Sequence, residues 1–359
     1  MDYVEQINLE NNRKLQALLK ELPKFCAIFF RYLDTRNTSS RTRLSYGYDL
    51  RLFFGFIQQG NPVYANMPMQ DIPISVLDEM TPMDIEEYLA YLSYYEKKGG
   101  RPITNGEKGK SRKLSSIRTM YNYYFKKELI KTNAPSMIET PKKHKENIIH
   151  LDRDEVAELI SAAENGSSLT ERQLASHQKT RYRDTAILML LLGTGIRVSE
   201  CVGLDLLDIS FKNNGLRVVR KGGNESTVYF GDEVAGALFD YLELERPLLA
   251  KKVLPEHETA LFLSLKHSRL TTRSVEKLVK KYTGAANISK KITPHKLRST
   301  YGTNLYRETG DIYLVADALG HKSVETTRQH YTAMDDDRRK LAGKYSGSIF
   351  HETKEADAL

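Results

Sequence analysis

RDTAILMLLLGTGIRVSE, Arg183 to Glu200, holds an apolar run, then two glycines, then an arginine. Apolar side chains all round a helix are satisfied only when other elements enclose it, so RDTAILMLLL predicts a buried central helix. The glycines at 193 and 195 predict a tight turn that presents Arg197 at the start of the next helix. A guanidinium suits a phosphate there, because it forms bidentate hydrogen bonds and the helix N-terminus adds partial positive charge. A surface arginine that merely caps a turn would read the same from this stretch alone.

The rest of the chain sets the frame. Its 359 residues exceed the usual range of one hydrophobic core, which predicts two domains. With 40% hydrophobic and 28% charged residues it reads as a soluble globular protein, not a disordered or membrane one. No apolar run would span a bilayer, and the start MDYVEQINLENNRK lacks a secretory pattern, so the expected location is cytoplasmic, with no membrane partner. Cys26 and Cys201 are far apart and without CxxC spacing, which argues against a disulfide framework and a zinc site. A net charge of +8 tilts the reading toward a polyanionic partner.

Residues 1–140 read as a mostly helical domain. NNRKLQALLKELPKFCAIFFRYL has helical spacing interrupted at Pro23. The Ser/Thr cluster before RLSYGYDLRLFFGFI predicts a helix start, with Tyr48, Leu52, Phe53 and Phe56 as its apolar stripe. Thr81 and Pro82 predict the cap and first residue of a helix ending at Gly99 and Gly100, and SRKLSSIRTMYNYYFKKELI predicts another. Prolines and a basic cluster mark 141–150 as a linker, and 151–359 as a second domain with its tail. There LLDISF, LRVVR and STVYF predict a small antiparallel sheet, with Lys221 to Asn224 turning one hairpin, before helical spacing returns. The expected fold class is mainly α.

Three further stretches offer chemistry. In TPHKLRST, Thr293 and Pro294 predict a helix start that puts His295 in the first turn and Arg298 on the same face, where both could bind phosphodiester oxygens. An exposed basic helix end is the plain alternative. Lys221 at a glycine-rich hairpin tip could protonate a leaving oxygen, or be a solvated turn lysine. In DIYLVADALGHKSVETTRQHY, Ile312, Val315, Ala316 and Leu319 form a buried stripe that stops at Gly320, which sets His321 at a corner. Tyr331 lies beyond a short polar helix; with a phenol pKa near 10 it needs positive charge and an acceptor nearby to act as a nucleophile.

In this order Arg197, Lys221, His295 with Arg298, His321 and Tyr331 resemble the catalytic set of the tyrosine recombinases, or phage-type integrases: Arg, Lys, His-x-x-Arg, His or Trp, Tyr. TGIRVSE, PHKLR and LGHKSVETT resemble the family's local wording, and SSRTRLSYGYDLRLFFGFI and LSSIRTMYNYYFKKELIKTNAP look like its N-terminal core-binding (SAM-like) domain. DIPISVLDEM, RKGGNES and SVEKLVKKY look most like stand-alone Xer-type recombinases of Gram-positive bacteria. In many members the tyrosine stands where this chain has His330; Tyr331 is one residue later, and the chemistry needs the phenol.

The resemblance implies strand cutting and rejoining on double-stranded DNA through a 3′-phosphotyrosyl link, without metal or any other cofactor. Tyr331 would attack, Arg197 and Arg298 would bind the non-bridging oxygens, His295 would assist as acid/base or donor, Lys221 would protonate the leaving 5′-oxygen, and His321 would hydrogen-bond the phosphate. A homotetramer on two recombination sites is implied, its tails docking between protomers. Arg41, Arg43, Lys110, Arg112 and Lys113 are the N-terminal candidates for DNA contact. Chromosome dimer resolution and mobile-element integration both stay open. The rivals are a non-cleaving DNA-binding protein on the same fold and a metal-dependent nuclease built on Asp335 to Asp337, whose consecutive carboxylates point to different sides of a helix.

Overall fold

A computed structural model describes residues 3–97, 100–140, 148–220, 223–321 and 323–331. The chain divides into two units, Met1–Lys145 and Glu146–Leu359, and helices dominate both. Among the described residues no helix is long and apolar enough to cross a membrane.

The first unit runs α1 (Tyr3–Leu19), α2 (Cys26–Thr35), α3 (Ser40–Gly60), the short α4 (Pro62–Ala65) and α5 (Val76–Glu79), α6 (Pro82–Tyr91), a hairpin of β1 (Tyr95–Lys97) and β2 (Arg101–Ile103), and α7 (Glu107–Lys126). Pro23 falls between α1 and α2, as the sequence requires. Ser39 caps α3 by accepting the Thr42 N–H at 3.2 Å. The α3 stripe, however, is rotated from the expected one. Leu50, Phe53, Phe54 and Ile57 are buried, whereas Tyr48 is 45% exposed beneath the Arg51 guanidinium. In a helix so rich in aromatics several stripes fit the pattern, and packing against α1 and α7 selects one.

A second expectation is corrected at α6. Thr81 caps it and Pro82 opens it, with Asp84 completing a capping box, but the helix stops at Tyr91, not at the glycine pair. The chain then turns back as β1 and β2, with Glu96 opposite Pro102. Tyrosines before a Gly-Gly pair are a hairpin signal, and it outweighs the helical spacing here.

The second unit contains α8 (Arg153–Asn165), α9 (Glu171–His177), α10 (Arg181–Thr194), α11 (Val198–Gly203), the strands β3 (Ile209–Ser210), β4 (Gly215–Val219) and β5 (Glu225–Tyr229), then α12 (Asp232–Asp240), α13 (Arg246–Ala250), α14 (Thr272–Ala285), α15 (Pro294–Thr309), α16 (Ile312–Ala318) and α17 (Val324–Tyr331). Helix α10 is central, packing against α8, α12, α14 and α15, with Ala186, Ile187, Leu188, Leu190 and Leu191 fully enclosed. The strands form an antiparallel sheet in the order β3-β4-β5. Leu216, Val218 and Val228 are its buried apolar side chains. Cys26 and Cys201 are free thiols, each buried in its own unit.

At the start of α10 the Asp184 carboxylate is enclosed. It accepts from the Tyr282 hydroxyl and Lys281 at 2.8 Å each, and pairs with Arg183. His177 Nδ1 lies 3.0 Å from the same hydroxyl, so the network ties α9 and α14 to the central helix.

Candidate active site

The site begins where α10 ends. The Gly195 N–H donates to Leu191 O at 3.1 Å, and Gly195 itself has φ +62°, the left-handed conformation that closes a helix. A Cβ there would lie 2.3 Å from the Tyr301 ring, so glycine is needed for space as well as for conformation. The turn buries Ile196 and sets Arg197 at the N-cap of α11. One turn on, the buried Glu200 carboxylate accepts from the Arg197 backbone N–H and from its guanidinium, each at 2.8 Å. The guanidinium also reaches Gly320 O at 3.3 Å.

Helix α15 supplies the second arginine. Thr293 is its N-cap and Pro294 its first residue, with His295 exposed beside it. Arg298, one turn on, is only 4% exposed, and its guanidinium donates to Gly195 O and Leu319 O. His295 and Arg298 thus sit at different depths: the imidazole is at the surface, and the arginine bridges two turns from distant parts of the chain.

The third contribution is a corner. Asp311 caps α16 by accepting the Tyr313 and Leu314 N–H groups at 2.8 and 3.1 Å. The helix closes with the Gly320 N–H on Asp317 O and the His321 N–H on Ala316 O, at 2.8 and 2.9 Å. With Gly320 at φ +58°, this motif fixes His321, whose Nδ1 is 2.7 Å from the Oγ1 of the buried Thr327. Tyr331 ends α17 one turn after Thr327. The Tyr331 and His330 side chains lie outside the described residues, as do Lys221, residues 332–359 and hence Asp335 to Asp337.

Arg197 and Arg298 therefore meet at the carbonyls of Gly195, Leu319 and Gly320, and His321 follows Gly320 at the same corner, an electropositive centre suited to an anion. A tyrosine is also present there. Burial pushes the Tyr301 pKa up, against the opposing pull of Arg220 and Arg298, which keeps that phenol protonated and its ring a packing surface.

A scan against family models matches residues 150–338 to the model described as the phage integrase family. The chain belongs to the phage integrase family. Like other members it is a tyrosine-type, site-specific DNA recombinase, which cuts and rejoins strands through a 3′-phosphotyrosyl intermediate. It is 33% identical over 327 residues to tyrosine recombinase XerC of Caldanaerobacter subterraneus, covering 89% of this chain and 86% of that one. It is 31% identical over 367 residues to tyrosine recombinase XerS of Streptococcus pneumoniae, covering 94% and 98%. In fold it is similar to XerH site-specific recombinase bound to palindromic difH (TM-score 0.62, 20% identity, 82% of this chain and 77% of that one). It is likewise similar to a lambda integrase dimer bound to a COC′ core site (TM-score 0.60, 18% identity, 86% and 94%).

Sequence reasoning missed three residues of the recombinase's site. Glu200 stood three after Arg197, the spacing of a capping carboxylate, and that signal was available. Arg220 and Thr327 had none, because Arg220 is placed by Glu200 and the distant Ala318 and Thr327 by the way the His321 corner folds back onto it. In the first unit the expected DNA contacts differ in exposure. Arg41 is exposed, and Lys110 donates to Ser93 Oγ at 2.6 Å. Arg112 pairs with the buried Asp49, whose pKa burial nonetheless raises. Arg43 pairs with Asp34 and reaches Asn12, and Lys113 is buried on Asn105 Oδ1 at 2.8 Å.

Proposed function

We propose that Tyr331 is the nucleophile and that Arg197, Arg298, His295, His321 and Lys221 serve it. Its oxygen would bond to the scissile phosphorus as the bond to the 5′-oxygen breaks, the phenol proton passing to a base such as His295 and Lys221 supplying the proton to that leaving oxygen. The 5′-hydroxyl of a partner strand then reverses the step, and the phosphotyrosyl link conserves the bond energy meanwhile. Arg197 and Arg298 would neutralise the charge developing on the non-bridging oxygens, each such donor being worth about 3–4 kcal/mol. A guanidinium has five N–H donors in a fixed fork, so an arginine can hold a carbonyl and a phosphate oxygen together. His321 would donate to the same phosphate, and His295 would act as donor or acid/base.

The observation that carries this reading is the convergence of Arg197 and Arg298 on the carbonyls of Gly195, Leu319 and Gly320, at the corner that His321 follows directly. A duplex nicked near the cleavage point tests it, because the short fragment diffuses away and traps the covalent complex. Wild type should accumulate adduct, and Tyr331→Phe should bind the duplex without forming any. Binding by wild type with no adduct would favour the non-cleaving alternative.

We further propose that the first unit is a core-binding domain, 141–150 a linker and 151–359 the catalytic domain, and that four protomers act on two recombination sites. The near full-length match to XerS supports an Xer-type role in resolving chromosome dimers over a mobile-element role. The exposed Arg41, with Lys110 and Arg112, would bind phosphates. Replacing any of the three with alanine should make the slope of log K against log salt shallower by about 0.9 for each phosphate no longer neutralised. Arg43→Ala and Lys113→Ala should instead lower the melting temperature of the protein.

A further inference from the structure

Arg220 was not among the residues expected to act, yet it occupies the same knot. It is the residue that closes the β4–β5 hairpin: its N–H donates to Asn224 O at 2.7 Å and its carbonyl accepts the Gly223 N–H at 3.0 Å. Its side chain is 12% exposed and turns toward the arginine site instead of into solvent. There Nη1 lies 3.4 Å from the Glu200 carboxylate, Nη2 lies 3.4 Å from Ala318 O, and Nε donates to Ser226 Oγ at 3.0 Å. Glu200 is the carboxylate that also holds Arg197. Gly320 gives Arg220 its bed, since a Cβ at that position would come within 2.9 Å of the Arg220 Cζ.

We infer that Arg220 is a positioning residue for the phosphate-binding arginine: it shares Glu200 with Arg197 and holds the corner before His321, so that both stay aligned on the non-bridging oxygens. The physical reason is charge balance. With two guanidiniums on one enclosed carboxylate, Glu200 cannot draw Arg197 wholly to itself, and the group keeps a net positive charge facing the phosphate. Without Arg220 the carboxylate has a single partner, Arg197 is held more tightly against it, and Ala318 O loses a donor. The inference rests on the proposed role of Arg197 in binding a non-bridging oxygen.

The test uses the full-length protein on nicked duplexes carrying either an ordinary scissile phosphate or a methylphosphonate, in which one charged oxygen is replaced by a neutral methyl group. Arg197→Ala is the reference and should lose cleavage of phosphate but recover on methylphosphonate, where there is less charge to neutralise. Arg220→Ala should follow the same pattern, with about a tenfold loss on phosphate, rate within about threefold of wild type on methylphosphonate, and unchanged DNA affinity. Arg220→Lys keeps the charge but not the fork, and should fall between the two. If Arg197→Ala recovers while Arg220→Ala is equally slow on both substrates, or is not slowed at all, the inference is overturned with the Arg197 reading intact. If Arg197→Ala itself fails to recover, that reading falls. Melting curves of each variant separate misfolding from misalignment, and a well-folded Arg220→Lys decides the matter if Arg220→Ala does not fold.

Discussion

Arg298 shows how little of a side chain's role spacing alone reveals. Its position three after His295, on the same helix face, was legible in PHKLR; its burial was not. That depends on Gly195 O and Leu319 O, carbonyls supplied by two turns that only the fold brings to α15. Arg298→Ala should therefore damage more than chemistry. It leaves two enclosed carbonyls without a donor, so the protein should lose about 2–4 kcal/mol in urea denaturation as well as all adduct formation. Loss of adduct at undiminished stability would mean that the bonds to those carbonyls contribute nothing. Thr327 follows the same logic: nothing marks a threonine in VETTRQHY as buried until His321 is folded back onto it.

At the level of elements the sequence was most readable where local chemistry decides. Thr81 and Pro82 opened α6, Pro23 separated α1 from α2, and the apolar run opened by Arg183 became the buried α10. It was least readable where two local signals compete, as in the tyrosine-rich stretch that became β1 and β2. The turn after α10 lies between these cases. Its glycines were recognised as a turn, but the reason Gly195 must be glycine involves Tyr301, over a hundred positions away. Gly195→Ala should cost about 2 kcal/mol or more, from left-handed backbone strain plus the clash with the ring. Tyr301→Ala should relieve the second part only, so the pair should be non-additive by about 1 kcal/mol in a double-mutant cycle. Additive losses would place Tyr301 elsewhere than against this turn.

For the molecule as a whole, the helical class was legible in the apolar spacing and the cap residues, while the buried charge network of the second unit left no trace in the sequence. There burial raises the Asp184 pKa, but Arg183 and Lys281 outweigh it and hold the carboxyl below its ordinary value. Glu245 is the opposite case. It accepts the Tyr182 N–H at 3.0 Å, but burial pushes its pKa from 4.5 up to about 7, with Arg183 opposing and Asp184 reinforcing the rise. Between those two values the folded state holds a proton that the unfolded chain has released, so stability falls as pH rises through that window and levels off above it. Glu245→Gln should remove this component, leaving a flatter stability profile and a higher melting temperature than wild type at pH 8. An unchanged slope between pH 5 and 7 would show that Glu245 is charged in the fold throughout.

The central claim is that the phenol of Tyr331, and not the imidazole of His330, takes up the DNA strand. Trapping the covalent complex on nicked duplex, digesting it and locating the nucleotide-bearing peptide by mass tests this directly, because a phosphotyrosyl bond survives acid and a phosphohistidyl bond does not. An acid-stable adduct on Tyr331 is expected, absent from Tyr331→Phe and still formed by His330→Ala. An acid-labile adduct on His330, or one that persists in Tyr331→Phe, would contradict it.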